Sequence, residues 1–263
     1  MPFWTWIGSK GGRASTHWPV SGPDGQDSVL GMPRCHPERC QADCRACVDA
    51  CPTEAIQIKD GCLEIDYGRC IVCQNCVETC PSGAMESTGD WAFGVRQRDD
   101  LRWREALASP VATTLKKQVA SSLRRSLHIK HVDAGSCNGC ESEIAALDNP
   151  FYNLHRLGIF FTPSPRFADL LLVTGPVTPS MRDPLLATWE AMPEPRMILA
   201  VGTCAVSGAP MDLGYAAGHG LEGLLPVDLW LPGCPPNPAA LIHALLVLLD
   251  RQPQRVEGGR YAR

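Results

Sequence analysis

Four cysteines in the middle of the sequence follow one another at short, regular intervals. Their pattern is C-x2-C-x2-C-x3-C, with a proline directly after the last: Cys70, Cys73, Cys76, Cys80 and Pro81. In this pattern three thiolates bind three corners of one [4Fe–4S] cluster, and the fourth cysteine binds a second cluster nearby. The motif therefore predicts electron-transfer chemistry and a partner motif elsewhere in the chain.

A second run lies upstream and departs from the pattern at one place, because three residues separate its first two cysteines. The run consists of Cys40, Cys44, Cys47, Cys51 and Pro52. Cys35 is an alternative first ligand, but Cys40 is favoured because the loop then needs only one extra residue. The two runs resemble those of two-cluster bacterial ferredoxins. They predict one cluster on Cys40, Cys44, Cys47 and Cys80, and another on Cys70, Cys73, Cys76 and Cys51.

Composition excludes several other classes of protein. The 14 cysteines among 263 residues are clustered too closely for ordinary disulfides, and the opening residues lack the features of a secretory signal. We therefore expect a reducing, cytoplasmic location. No apolar run reaches the roughly 20 residues that span a bilayer. The net charge of −4 gives no indication of a nucleic-acid partner.

The elements that must position these thiols divide the chain into four predicted segments. Residues 1–29 form an extension whose tryptophans we expect to pack on the chain's own domain rather than on a partner or membrane. Residues 30–100 form a small α+β ferredoxin-like domain, in which Asp60-Gly61 predicts a hairpin between two short strands. Residues 101–125 form a partly helical linker, and residues 126–263 form a larger α/β domain.

The larger domain alternates buried-strand patterns with helical ones. Strands are predicted near residues 127–132, 159–162, 170–174, 197–201 and 227–231, and helices near residues 142–147, 182–191 and 238–249. Such alternation indicates a parallel sheet covered on both faces, which we expect to be flavodoxin-like. Functional sites in such sheets lie at the carboxyl ends of the strands.

Four further cysteines follow three of these strands. They are Cys137, Cys140, Cys204 and Cys234. Four thiolates can bind a structural Zn²⁺ or a third [4Fe–4S] cluster. A cluster is favoured, because zinc sites more often use two C-x2-C pairs and this set has one pair and two single cysteines.

The sequence around these cysteines resembles a known family. The motifs are 136-SCNGCE-141, 163-PSPRFAD-169, 173-VTGPVT-178, 202-GTC-204 and 232-PGCPPNP-238. They are similar to the small subunit of membrane-bound, energy-converting [NiFe] hydrogenases of the formate-hydrogenlyase type, in the superfamily of the 20 kDa subunit of complex I. Complex I proteins have adjacent cysteines where this chain has Cys137-x-x-Cys140, so the spacing favours hydrogenase. Fusion to a ferredoxin-like unit departs from the family, where that unit is normally a separate chain.

The resemblance implies an oxidoreductase subunit that relays electrons through three [4Fe–4S] clusters and has no catalytic residue of its own. Cys137, Cys140, Cys204 and Cys234 would bind the proximal cluster, facing a nickel–iron large subunit. Membrane subunits would attach the chain peripherally to the inner face of the membrane. The donor would be a protein such as formate dehydrogenase, carbon monoxide dehydrogenase or ferredoxin. The alternatives are a hydrogenase-like respiratory complex that reduces quinone or sulfur, and a non-catalytic iron–sulfur sensor or scaffold.

Three polar residues near the third set have alternative interpretations. Glu141 suits the first turn of a helix, where the macrodipole favours an acid, and a proton path to the large subunit is the alternative role. His128 and His131 are interpreted as structural, because residues three apart on a strand point to opposite faces. Cys62 lies outside all three sets and is not expected to bind iron.

Overall fold

A computed structural model of the chain describes residues 3–10, 18–19, 26–59, 61–105, 126–212 and 214–262. The helices of these residues are α1 (Phe3–Lys10), α2 (Ala46–Asp49), α3 (Asn75–Glu78), α4 (Gly139–Ala145), α5 (Pro179–Glu190), α6 (Thr203–Ser207) and α7 (Pro238–Leu248). The strands are β1 (Arg34–Cys35), β2 (Ile56–Lys59), β3 (Cys62–Asp66), β4 (Met85–Glu86), β5 (Arg102–Arg104), β6 (Leu127–Asp133), β7 (Ile159–Phe161), β8 (Leu170–Thr174), β9 (Met197–Val201), β10 (Leu229–Leu231), β11 (Val256–Glu257) and β12 (Arg260–Tyr261).

Strands β6 to β10 form one parallel sheet in the order β7-β6-β8-β9-β10. Numbered within this unit, the order is 2-1-3-4-5, which is the flavodoxin-like arrangement. The expected α/β class is therefore confirmed. Every residue of β8, β9 and β10 is buried, as a sheet covered on both faces requires.

Helix α7 covers one face of the sheet and is buried along its whole length. It begins where the sequence predicts: Pro238 is its first residue, and the Asn237 side chain accepts a hydrogen bond of 2.7 Å from the Ala240 amide. This cap satisfies one of the amides that a helix leaves unpaired at its start. Apart from His243 the helix is apolar. Such a helix is stable only when protein surrounds it, and here the sheet supplies that cover.

The ferredoxin-like unit is built on the antiparallel sheet β2-β3-β5 and the short pair β1-β4. Lys59 pairs with Cys62 across the predicted two-residue turn, and Gly61 has the positive φ (+77°) that such turns favour. Strand β5 corrects the expectation that the linker begins at residue 101, because its residues pair with β3 inside this unit. The rest of the predicted linker, 106–125, lies outside the described residues.

The ferredoxin-like unit packs on the second face of the parallel sheet, and the two share one apolar core. Val95 extends the large sheet by pairing with Trp230 through two backbone hydrogen bonds of 2.9 and 2.7 Å. The Arg69 guanidinium binds the Asp212 carboxylate at 2.7 Å, also across this junction. Apolar burial and polar contacts thus fix the two units against each other.

The N-terminal extension contacts the larger domain where it is described. Trp18 is buried and meets the Tyr152 ring edge-on at a centroid distance of 6.1 Å. This agrees with packing on the chain's own domain, while Trp6 is half exposed. Among the described residues, no helix has the length and apolar character needed to cross a membrane.

Candidate metal centre

The first group of thiols combines three cysteines of the upstream run with the last cysteine of the downstream run. Burial raises the pKa of Cys47, and the neighbouring thiols of Cys40, Cys80 and Cys44 raise it further. Cys40 likewise interacts with Cys44 and Cys80. Cys80 of the downstream run thus lies near Cys40 and Cys47 of the upstream run, as the predicted exchange of the fourth cysteine requires, and the ligand assignment stays a prediction.

Cys35 is a fifth thiol beside this group. It lies on β1, buried, and interacts electrostatically with Cys40, Cys47 and Cys80; burial raises its pKa to about 12. Cys40 is exposed, and Cys44 is the thiol that raises its pKa most. Both candidates for the first ligand thus lie near the group, and the choice between them stays a prediction.

The second group contains Cys70, Cys73 and Cys76 with Cys51 from the upstream run. Burial raises the pKa of both Cys70 and Cys76 to about 12, and each of these thiols interacts with Cys51 and Cys73. Cys76 also interacts with Cys47 of the first group, so the two groups are neighbours.

The loop from Cys70 to Cys76 contains two residues with a left-handed backbone conformation. Val72 and Gln74 have φ values of +60° and +63°, and positive φ is a strained conformation for a β-branched residue such as valine. Three amides point at thiol sulfurs: Ala55 at Cys51 (3.3 Å), Val72 at Cys70 (3.4 Å) and Met85 at Cys80 (3.4 Å). Hydrogen bonds to sulfur are one of the means by which proteins tune iron–sulfur clusters.

The third group assembles at the carboxyl ends of three parallel strands. Cys137 and Cys140 follow β6, Cys204 lies in α6 directly after β9, and Cys234 follows β10. Burial raises the pKa of Cys140 strongly and that of Cys204 to about 11, and each of the four thiols interacts with at least two of the others. The structure thus brings together all four cysteines that the sequence predicts.

Glycines make room for this group. Gly202 has φ +89° and ψ 151°, and a Cβ built there would lie 2.7 Å from the Sγ of Cys140. Asn138 begins α4 with φ +65°, which places Cys137 and Cys140 on one turn. A short loop with these conformations lets thiols from different strands approach one another.

Glu141 extends from α4 to a small polar network beside Cys140. The Thr174 hydroxyl donates to its carboxylate, and Thr174 Oγ1 lies 2.9 Å from His131 Nε2. Burial lowers the pKa of His131, while the Glu141 carboxylate opposes that shift. Sequence reasoning treated His131 as structural and missed Thr174. The missing information was strand register: His131 pairs with Leu172, which puts Thr174 two residues further on the same face.

The residues present fit three [4Fe–4S] clusters by the chemistry of their donors, since each group offers four thiols and thiolates are the ligands such clusters use. Among the described residues, no three or more His, Cys, Asp or Glu side chains are placed to bind a metal ion together. A [4Fe–4S] cluster separates its thiolates by the width of the iron–sulfur cube, so this finding does not conflict with it. Cys62, on β3, is part of none of these groups.

Comparison with known proteins identifies both parts of the chain. Residues 137–248 match the model of the NADH ubiquinone oxidoreductase 20 kDa subunit, and residues 63–86 match that of a 4Fe-4S binding domain. The second match contains the downstream cysteine run, and the upstream run lies outside it.

Two curated relatives and one solved structure are similar over about half of the chain. Formate hydrogenlyase subunit 7 of Escherichia coli is 41% identical over 152 residues, which cover 58% of this chain and 58% of that protein. The chain therefore spans less than two thirds of that relative. The probable membrane-bound hydrogenase subunit mbhJ of Pyrococcus furiosus is 37% identical over 141 residues, covering 54% of this chain and 84% of that protein. The archaeal membrane-bound sulfane sulfur reductase has a chain with 33% identity and a TM-score of 0.45, covering 54% of this chain and 80% of its own.

Proposed function

The chain belongs to the NADH ubiquinone oxidoreductase 20 kDa subunit family, and we propose that it is the electron-relay subunit of a [NiFe] hydrogenase complex. The hydrogen-reacting site belongs to a partner large subunit, and this chain performs no bond-making step. Three [4Fe–4S] clusters, when bound, supply one-electron redox chemistry. The chain's own task is to bind them, fix their order and control their surroundings.

The observation that carries this proposal is the convergence of Cys137, Cys140, Cys204 and Cys234 at one edge of the sheet. All four are half-buried or exposed at that edge, with Cys137 and Cys234 the most exposed. A redox group in this position can exchange electrons with a protein that docks there. We therefore place the nickel–iron subunit against this edge.

The remaining partners follow from the same likeness. The named relatives include subunits of formate hydrogenlyase and of a membrane-bound hydrogenase. We propose that membrane subunits of such a complex attach this chain peripherally to the cytoplasmic face of the membrane. The electron donor is a redox protein such as formate dehydrogenase, carbon monoxide dehydrogenase or ferredoxin.

The test is to purify the native complex and compare two substitutions of the same chemical kind. Cys204→Ser removes a thiol of the third group, and we expect it to abolish electron exchange between hydrogen and an external acceptor. Cys62→Ser is the matched control, because Cys62 belongs to no group, and hydrogen turnover should be retained. Hydrogen–deuterium exchange at nickel needs no long-range electron transfer, so it should survive Cys204→Ser in an assembled complex.

Metal analysis of the same preparation separates the alternatives. A nickel-containing partner supports the hydrogenase proposal. A nickel-free complex that reduces quinone or sulfur would replace it with the respiratory alternative. Isolation with a DNA-binding regulator and no nickel protein would replace it with a sensor function.

Glu141 is proposed as a proton-path residue at the same edge, through its hydrogen bond from Thr174 and its neighbour His131, 3.6 Å from the carboxylate. Glu141→Gln keeps the size of the side chain but removes its charge. A large loss of hydrogen turnover with all iron retained would support the proton path. Normal turnover, with a loss of about 0.3–1 kcal/mol in the free energy of unfolding, would indicate a helix-capping role only.

A further inference from the structure

One hydroxyl group connects the second and third groups of thiols. Thr203 Oγ1 donates to the backbone carbonyl of Cys70 at 3.0 Å and accepts from the Gly233 amide at 3.2 Å. Cys70 is a cysteine of the second group. Thr203 precedes Cys204 in the chain, and Gly233 precedes Cys234, so both are bonded directly to cysteines of the third group.

This connection is buried and held on both sides. Thr203 is 1% exposed, and its own amide donates to the Gly233 carbonyl at 2.9 Å. The adjacent ion pair between Arg69 and Asp212, at 2.7 Å, joins the same two units, and Arg69 Nε also donates to the Thr53 carbonyl at 2.9 Å. Thermal motion of one unit against the other is therefore restricted where the two groups meet.

The first group is linked to the second in a different way. Cys76 interacts electrostatically with Cys47, and each run contributes cysteines to both groups, so those two groups share the same backbone. These contacts join the first group to the second and the second group to the third. Cys40, a candidate ligand in the first group, is exposed.

On the basis of the function proposed above, we propose that Thr203 is the positioning residue of the electron path between the second and third groups, and that external donors reach the first group. Cys51, Cys70, Cys73 and Cys76 would hold the cluster that gives up one electron, and Cys137, Cys140, Cys204 and Cys234 would hold the cluster that accepts it. No covalent bond forms or breaks, and the reductant is a one-electron donor protein. The route has two links and no gap. The first is the hydrogen bond from the Thr203 hydroxyl to the Cys70 carbonyl, and the second is the covalent backbone from Thr203 to Cys204.

The test compares three variants of the full chain with its clusters assembled. Thr203→Val has nearly the shape of threonine but lacks the hydroxyl, so the bridge to Cys70 is lost. Thr203→Ser retains the hydroxyl. Ser207→Ala is the matched control, because the Ser207 hydroxyl donates to the Thr203 carbonyl at 3.1 Å and accepts from the Ala209 amide at 3.3 Å, and neither hydrogen bond involves Cys70.

A substoichiometric pulse of dithionite is followed by rapid freeze-quench EPR, which separates the clusters by their g values. We expect Thr203→Val to slow electron equilibration between the second and third clusters severalfold. Thr203→Ser and Ser207→Ala should both equilibrate at the rate of the unaltered chain. Amide hydrogen exchange at Gly233 is the second measurement, and it should become faster in the valine variant alone, because that amide loses its acceptor.

An unchanged rate in Thr203→Val with full iron content would overturn the proposal. Equal slowing in Ser207→Ala would also overturn it, because a general disturbance of the helix would then explain the effect. None of these measurements requires the nickel partner. A failure of the bridge is therefore distinguishable from a failure of the hydrogenase function, which the hydrogen assay tests separately.

Discussion

Gly202 offers a way to remove the third cluster without touching a ligand. This residue connects β9 to α6, and its φ of +89° with ψ of 151° lies in a region of backbone space that is almost restricted to glycine. A Cβ at this position would lie 2.7 Å from the Cys140 Sγ. Gly202→Ala therefore introduces both backbone strain and a collision with a thiol of the third group.

The two effects can be estimated separately. Holding a residue other than glycine in this conformation costs about 1–3 kcal/mol. The collision cannot be relieved at the far end of a flexible side chain, because the atom it meets is the sulfur that must point at the cluster. The sulfur must move by a substantial part of an ångström, and iron coordination tolerates deviations of only about 0.2 Å. We therefore expect loss of the third cluster rather than a small loss of stability.

Gly223→Ala is the matched control for backbone strain. Gly223 also has positive φ (+75°) and lies in the same domain, but a Cβ there would meet no described atom within 4 Å. After anaerobic reconstitution, chemical analysis should find about twelve iron atoms per chain in the unaltered protein and in Gly223→Ala, and about eight in Gly202→Ala. EPR should show the two ferredoxin-type clusters unchanged. Full iron content in Gly202→Ala would refute the assigned geometry of the third group.

Two further predictions concern ligand choice and pH. Cys40→Ser should remove the normal EPR spectrum of one ferredoxin-type cluster while Cys35→Ser leaves it intact, and the opposite result would assign Cys35 as the ligand. Burial and the nearby Arg255 guanidinium lower the pKa of His243 to about 4, below the ordinary 6.5. As pH falls, His243 takes up its proton at a higher pH in the unfolded chain than in the folded chain. The free energy of unfolding therefore decreases between pH 6.5 and pH 4, by about 2 kcal/mol between pH 7 and pH 5. Urea unfolding at both pH values should show this loss in the unaltered chain and a smaller one in His243→Leu; equal losses would contradict the assignment.

The repetitive parts of the fold were predictable from the sequence. Strands β7 to β10 of the parallel sheet are mainly apolar, whereas β6 alternates apolar with polar residues. The predicted positions of all five agree with the structure to within two residues. Helix α7 has an N-cap signal and is apolar apart from His243. In these elements local propensity, apolar pattern and tertiary burial all favour the same conformation.

The short elements were not predictable in the same way. Helix α6 has five residues, too few for a periodic pattern, and it begins directly after the strand that ends at Val201. Strand β5 lies in the segment 101–125, which was expected to be a partly helical linker because it contains good helix formers. Its partner β3 determines its conformation, and Arg104 binds the buried Glu64 carboxylate at 2.8 Å across that pairing.

The thiol groups themselves were predictable because cysteine spacing directly encodes the geometry of a cluster, whereas the relation between the groups was not. The Thr203 hydroxyl meets the Cys70 carbonyl across a separation of 133 residues, and no local pattern marks either residue. The same holds for Arg69 and Asp212. Contacts of this kind depend on how two separately specified units dock, and that information lies in surface shape and charge.

The fusion of the two units has a physical consequence for an electron relay. In separate chains, the distance between neighbouring clusters depends on an interface that forms by association and loses translational and rotational freedom when it does so. Here the Val95–Trp230 pairing, the Arg69–Asp212 ion pair and the shared apolar core fix the second and third groups within one chain. Because the docking is intramolecular, it does not depend on subunit concentration, and the Thr203 bridge is present whenever the chain is folded. Under the proposed function, these contacts keep the second and third groups together, and the exposed Cys40 of the first group is where we expect different donors to bind.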